Sequence, residues 1–200
     1  MQKQQLSCTN CYAQACKGTG KPYPAFCPSQ QAGPADREAA MQQYLKNDFV
    51  RRVEVASSEL VMETRGSLNR VEEIMDFARR MQMTKIGVAT CVALMSQSRV
   101  LAKILTQNGF EVRGVGCKVG EMQHQEVGIK PELCKPGAVP LCNPVMQAQM
   151  LNEAGTQLNV VVGLCVGHDS LFMKYSDAIC TTAVVKDRML DNNPVLALQE

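Results

Sequence analysis

The chain has 200 residues, 46% of them hydrophobic, with 21 basic against 19 acidic side chains. That suits one domain of ordinary size with a real core, and a formal charge of +2 is too small for the field that draws nucleic acid. Aromatics at 4% with no tryptophan leave little for a base-stacking surface, and no stretch reaches the ~18 apolar residues of a membrane span.

The start, MQKQQLSCTN, has no apolar h-region and does not read as a signal peptide, so the expectation is a cytoplasmic protein. In a reducing compartment, ten cysteines point to metal binding or redox chemistry more than to disulfides. With two histidines, His124 and His168, any metal must be held mainly by sulfur. Soft thiolate sites favour zinc or iron–sulfur clusters over magnesium or calcium.

Residues 1–34 show neither helical nor strand period and carry Gly18, Gly20, Pro22, Pro24, Pro28, Gly33 and Pro34. Such a segment cannot bury enough apolar surface to order itself, and a bound metal can supply what is missing. Cys8-x2-Cys11-x4-Cys16-x10-Cys27-Pro28 is a metal-ligand set. Its Cys-x2-Cys pair has the bite of a zinc knuckle. Cys followed by Pro is a feature of ferredoxin runs, whose other gaps it does not match. Zinc and a [4Fe–4S] cluster both stay open here.

From Asp36 to about Glu63, Met41, Leu45, Phe49, Val53, Ala56 and Leu60 recur every three or four residues, which predicts one long amphipathic helix. Leu68, Val71, Ile74, Phe77, Ala78 and Met81 predict a second. From Lys85 the pattern changes. KIGVATC, FEVRGVGC, NVVVGLC and AICTTAVV read as strands, with helical stretches between them. A helix after Cys91 stops at Asn108-Gly109. Another starts at Asn143-Pro144, an N-cap and first-turn proline. Between the second strand and that cap lies a loop of about 25 residues, too long for a plain connection. GHDSLFMKYSD reads as a short helix or turn, and the tail from Lys186 as polar, then weakly helical. Strand alternating with helix predicts an α/β fold, a mostly parallel sheet with flanking helices in Rossmann-like layers. The expected organisation is a Cys-rich metal-binding segment over 1–34 and an α/β domain over 35–200. The latter divides into a helical pair (35–84) and a sheet core (85–200).

Cys91, Cys117 and Cys165 each close a predicted strand, and Cys142 opens a helix, so all four belong to one edge of the layer. Open parallel sheets bind ligands outside the carboxyl ends of their strands. Helix N-termini point to that edge and favour thiolates. Structural zinc sites usually draw on close cysteine pairs. Four single cysteines from four segments suit an iron–sulfur cluster, and [4Fe–4S] is the expected cofactor there. Cys134, in the long loop, is an alternative to Cys142. Cys180 lies inside its strand and reads as packing, as free cysteines often do.

His168 and Asp169, directly after the third strand, form a candidate proton-relay pair unless Asp169 or Ser170 serves only as a helix cap. His124 reads as a solvated loop residue, and Lys186-Asp187-Arg188 as a charged turn. GVGCKVG is not a GxGxxG, and no P-loop is present. Three functions fit these residues. One is a metal-binding, iron–sulfur protein with a redox partner or small-molecule ligand. Another is a zinc-stapled module binding an anionic ligand. The last is a thiol enzyme with Cys91 or Cys165 as nucleophile and His168 beside it. None involves nucleic acid or a membrane.

The N-terminal Cys-x2-Cys-x4-Cys knot, GVATC, CNPVMQAQMLNEAGTQLNVVVGLCVGHDSLF and TTAVVKDR together resemble the DUF1847 family, described as uncharacterised, predicted metal-binding proteins of bacteria and archaea. The likeness covers nearly the whole chain. It implies metal binding through cysteine and says little about a reaction. In the family pattern a His-Asn-Pro commonly follows the VVKDR block; here Asn192 stands where that histidine would be.

Overall fold

The apolar run Lys85–Thr90 forms β1, buried along nearly its whole length, and Leu158–Val162 forms β3, buried throughout. Continuous burial marks strands covered on both faces, as parallel sheets require. The less buried Glu111–Gly116 (β2) and Ile179–Val184 (β4) stand at the edges. All pairings are parallel and the order is β2-β1-β3-β4. This is a computed structural model, and it describes residues 8–134 and 139–199; residues 1–7 of the N-terminal segment and 135–138 of the long loop lie outside it. The α/β class expected from the alternation of elements is the class observed.

Strand order reverses between β1 and β3, because the chain passes from β1 outward to β2 and then returns across to β3. Met95–Gln107 (α5) links β1 to β2, Pro144–Glu153 (α6) links β2 to β3, and His168–Tyr175 (α7) links β3 to β4. Right-handed crossovers put α5 on one face and α6 with α7 on the other, and α6 packs directly on α7. Side-chain parity follows the pleat. A Cβ added at Gly87 would meet Leu151 of α6, so the odd-numbered residues of β1 face α6. The α6–α7 face encloses one core of Ala89, Cys91, Cys117, Ala148, Leu151, Val161, Leu164 and Phe172.

Chain termini of the helices follow local chemistry. Asn143 caps α6, accepting from the Met146 N–H at 3.0 Å, with Pro144 in the first turn. Asn69 caps Arg70–Arg80 (α4) in a reciprocal box with Glu72. From α4, Arg70 donates to Thr181 Oγ1 at 2.6 Å and to the Thr182 carbonyl at 3.1 Å, which occupies part of the open edge of β4.

The expected single helix from Asp36 to Glu63 is two helices, Pro34–Lys46 (α2) and Asp48–Thr64 (α3). Asn47 between them is extended, and its side-chain oxygen accepts from the Val50 N–H at 3.2 Å. The asparagine thus satisfies an amide at the start of α3 and stops the first helix. The expected apolar stripe is only half buried: Ala56 and Leu60 are inside, whereas Met41, Leu45 and Phe49 are exposed. A short helix, Pro28–Gln31 (α1), follows Cys27 directly, with the proline in its first turn. By contact density the chain forms two units, Met1–Val55 and Ala56–Glu200. The sheet and its edge belong wholly to the second.

Candidate metal centre

β1 and β2 end together. Thr90 pairs with Gly116, so the next residues, Cys91 and Cys117, stand side by side just beyond the ladder. Both are buried, and both belong to the core on the α6–α7 face. The Cys91 N–H still bonds the Val162 carbonyl at 3.1 Å, extending the β1–β3 ladder by one step. Cys142 precedes the cap of α6, and its Sγ lies 3.6 Å from Cys117 Sγ. The backbone holds it there: Asn143 N–H bonds the Cys117 carbonyl and Leu141 N–H bonds the Met122 carbonyl, each at 2.8 Å. Lys118 Nζ donates to the Pro140 carbonyl, drawing the two ends of the long loop together.

Cys165 sits slightly off the position expected from its strand. β3 stops at Val162, where its pairing with β4 slips by a residue. Gly163 then turns with φ +61°, a conformation that favours glycine. A Cβ at Gly163 would come within 2.1 Å of Leu94, so the close packing also needs a glycine. Cys165 therefore lies three residues past the strand, half-buried, and receives Arg188 Nη2 at 3.0 Å.

The edge is electrostatically mixed. Burial pushes the Cys117 thiol up to about 12; the Val92 N–H, 3.4 Å from its sulfur, pulls the other way, and the neighbouring Cys142 and Cys91 add to the rise. Arg188 is held more firmly protonated than usual, first by its hydrogen bond to Cys165, and then by the charge of that thiolate and of Cys91 and Cys142. Cys91 thus stands beside Cys117 at the strand ends, Cys142 meets Cys117, and Cys165 pairs with Arg188 past the end of β3. Among the described residues, no group of three or more His, Cys, Asp or Glu side chains is placed to hold a metal ion.

Gln147, one turn into α6, is fully buried and was not picked out from the sequence. Its Nε2 donates to the carbonyls of Thr90 at 3.2 Å and Val115 at 2.8 Å, tying together the strand ends that carry Cys91 and Cys117. Its Oε1 is buried with no partner among the described residues. The signal was a glutamine inside an otherwise buried helix stripe, beside Ala148 and Leu151. Arg188 was visible only as part of a charged turn after the fourth strand.

The other candidates fall elsewhere. Cys134 turns to its own loop, with Sγ 3.6 Å from the Lys130 carbonyl, and it is Cys142 that meets Cys117. Cys180 packs against the same core and points its thiol to the Ala178 carbonyl at 3.5 Å. His168 and Asp169 open α7, but they are not hydrogen-bonded to each other. Asp169 Oδ1 accepts from the Ser170 N–H at 2.7 Å, and the His168 backbone N–H bonds the Cys165 carbonyl at 2.9 Å. In the first unit, the Cys11 N–H bonds the Cys8 carbonyl at 3.1 Å, the turn of a Cys-x2-Cys pair. Cys27 there is buried, Cys8 and Cys16 are exposed and Cys11 is half-buried.

Residues 27–183 match the family described as "Protein of unknown function (DUF1847)". The chain belongs to this family. The matched span includes Cys27 and all four strand-edge cysteines, and ends before Arg188. The chain is also 41% identical over 158 residues to "Uncharacterized protein MJ0455" of Methanocaldococcus jannaschii, covering 79% of this chain and 80% of that one. No helix among the described residues is long and apolar enough to cross a membrane.

Proposed function

We propose that this DUF1847 protein holds a cysteine-ligated metal centre, an iron–sulfur cluster, at the carboxyl edge of its sheet, with Cys91, Cys117, Cys142 and Cys165 as ligands. The observation that carries this is the 3.6 Å contact of the Cys117 and Cys142 sulfurs at the sheet edge, with Cys91 next to Cys117 in register; the Arg188 bond to Cys165 past β3 adds support. The donor set fits the group in two ways. Clusters take four thiolates and are tuned by hydrogen bonds to their sulfurs, and here Cys117 has the Val92 N–H and Cys165 has Arg188. A buried thiol such as Cys117 resists ionisation as a free group, and a metal that replaces its proton removes that cost. When bound, a cluster supplies one-electron chemistry; the chain's own groups set its charge balance and shield it from water.

In the same reading, Cys8, Cys11, Cys16 and Cys27 hold a second metal, zinc or [4Fe–4S], that orders a glycine- and proline-rich segment. Ten free cysteines fit a reducing, cytoplasmic setting. A redox partner or a small-molecule ligand meets the sheet edge.

Anaerobic purification followed by iron, sulfide and zinc analysis tests the reading. The expected result is a brown protein absorbing near ~400 nm with iron and sulfide in equal amounts. Fewer than one metal per chain would overturn it. Cys165→Ser separates the two sites: it should remove the metal of the sheet edge and leave that of the N-terminal set.

A further inference from the structure

We propose that Cys117 and Cys142 form a dithiol–disulfide couple in the metal-free chain, with Cys142 as the attacking thiol and Cys117 as the resolving one. The couple goes beyond the metal reading and does not depend on it. Metal binding and disulfide formation are alternative uses of the same two sulfurs.

Three observations carry this. The sulfurs are 3.6 Å apart. A disulfide bond is about 2.05 Å long, so the remaining approach is about 1.5 Å, within reach of small side-chain rotations. Hydrogen bonds from Asn143 to Cys117 and from Leu141 to Met122 flank Cys142 and hold its backbone beside that of Cys117. Exposure differs across the pair: Cys117 is 3% exposed, whereas Cys142 is half-buried.

The chemistry is exchange with a low-molecular-weight organic disulfide, RSSR. The Cys142 thiolate attacks one sulfur, the S–S bond of RSSR breaks, and the first RS⁻ leaves. The Cys117 sulfur then attacks Cys142 in the mixed disulfide and expels the second RS⁻. The two protons lost by the cysteines end on the two released thiols. The protein is oxidised by two electrons, and RSSR is reduced to two RSH.

The test uses the full chain, reduced, treated with chelator and desalted, then incubated with oxidised glutathione and read by intact mass and peptide mapping. Peptide mapping of the wild type should show a Cys117–Cys142 disulfide with no glutathione on either residue, whatever the exposed Cys8 and Cys16 carry. Cys117→Ser and Cys117→Ala should each trap one glutathione on Cys142. Cys142→Ser should leave Cys117 reduced, and Cys134→Ser should behave as wild type. A stable glutathione adduct on wild-type Cys142, a disulfide to any other cysteine, or a Cys142 that stays reduced would overturn the couple. Metal content of the isolated protein decides the reading of the previous subsection separately, since a chain that never carries metal can still show this exchange.

Discussion

Arg188 donates to Cys165 across the gap between the chain leaving β4 and the chain leaving β3, at 3.0 Å. Hydrogen bonds to an ionised partner are the stronger kind. The guanidinium also lies within electrostatic reach of Cys91 and Cys142, and in the proposed metal centre it would offset part of the charge of the ligand thiolates. In the iron–sulfur reading proposed above, Arg188→Ala should release iron to a chelator several-fold faster than wild type, with an unchanged far-UV circular dichroism spectrum. Arg188→Lys should recover part of the loss, because it keeps charge but not the planar fork. Equal release rates for all three proteins would remove Arg188 from the site.

Gln147→Leu should lower stability by about 1–3 kcal/mol, since it leaves the Thr90 and Val115 carbonyls without this buried donor. Gln147→Glu should cost more, because a carboxylate would set acceptor against acceptor in a buried position. Urea unfolding reads both: the midpoint should fall in the order wild type, Leu, Glu, with the slope unchanged. A Leu variant as stable as wild type would show that the amide contributes nothing.

Gly87→Ala should destabilise by about 1–3 kcal/mol through overpacking. The new methyl would lie 2.0 Å from Asn159 Oδ1 and 2.9 Å from Leu151 Cδ1, at the centre of the sheet. Gly114→Ala, on the edge strand β2 with open space around it, should be close to neutral on the same measure. Similar losses at both positions would refute the packing explanation.

Burial pushes the Cys180 thiol above its ordinary value of 9.0, with the Ser176 hydroxyl opposing. The folded state therefore favours the protonated form. The stabilisation is fully present below about pH 9 and is lost as pH rises above it. Denaturation at pH 7.5 and at pH 10 should show wild type losing more stability across that interval than Cys180→Val. A parallel decline in the two proteins would mean that the thiol does not carry the dependence.

The strands were legible because burial on both faces forces continuous apolar runs such as KIGVAT and LNVVV, and helices separate them at regular distance. The placing of Cys91, Cys117 and Cys142 at one edge followed from that alternation alone. The break at Asn47 was hidden by a helical period that continues through it; only the asparagine's capping ability marked the stop. The contacts of Arg188 and Gln147 were hidden for another reason. Each acts on a residue more than twenty positions away, and that pairing exists only once the crossovers close. The turn at Gly163, which sets Cys165 back from its strand, is a positive-φ bend that the apolar run through it hid.

The four sulfurs do not have equal freedom. Cys91 and Cys117 are anchored by neighbouring ladders that end in register, so the sheet sets the spacing of their backbones. Cys142 and Cys165 come from a loop end and a turn outside the ladders, and Cys142 is tied to the edge by the Asn143–Cys117 backbone hydrogen bond. Two of these sulfurs therefore belong to the sheet and two to the connections that leave it, so a change in the long loop would displace Cys142 while leaving Cys91 and Cys117 in place.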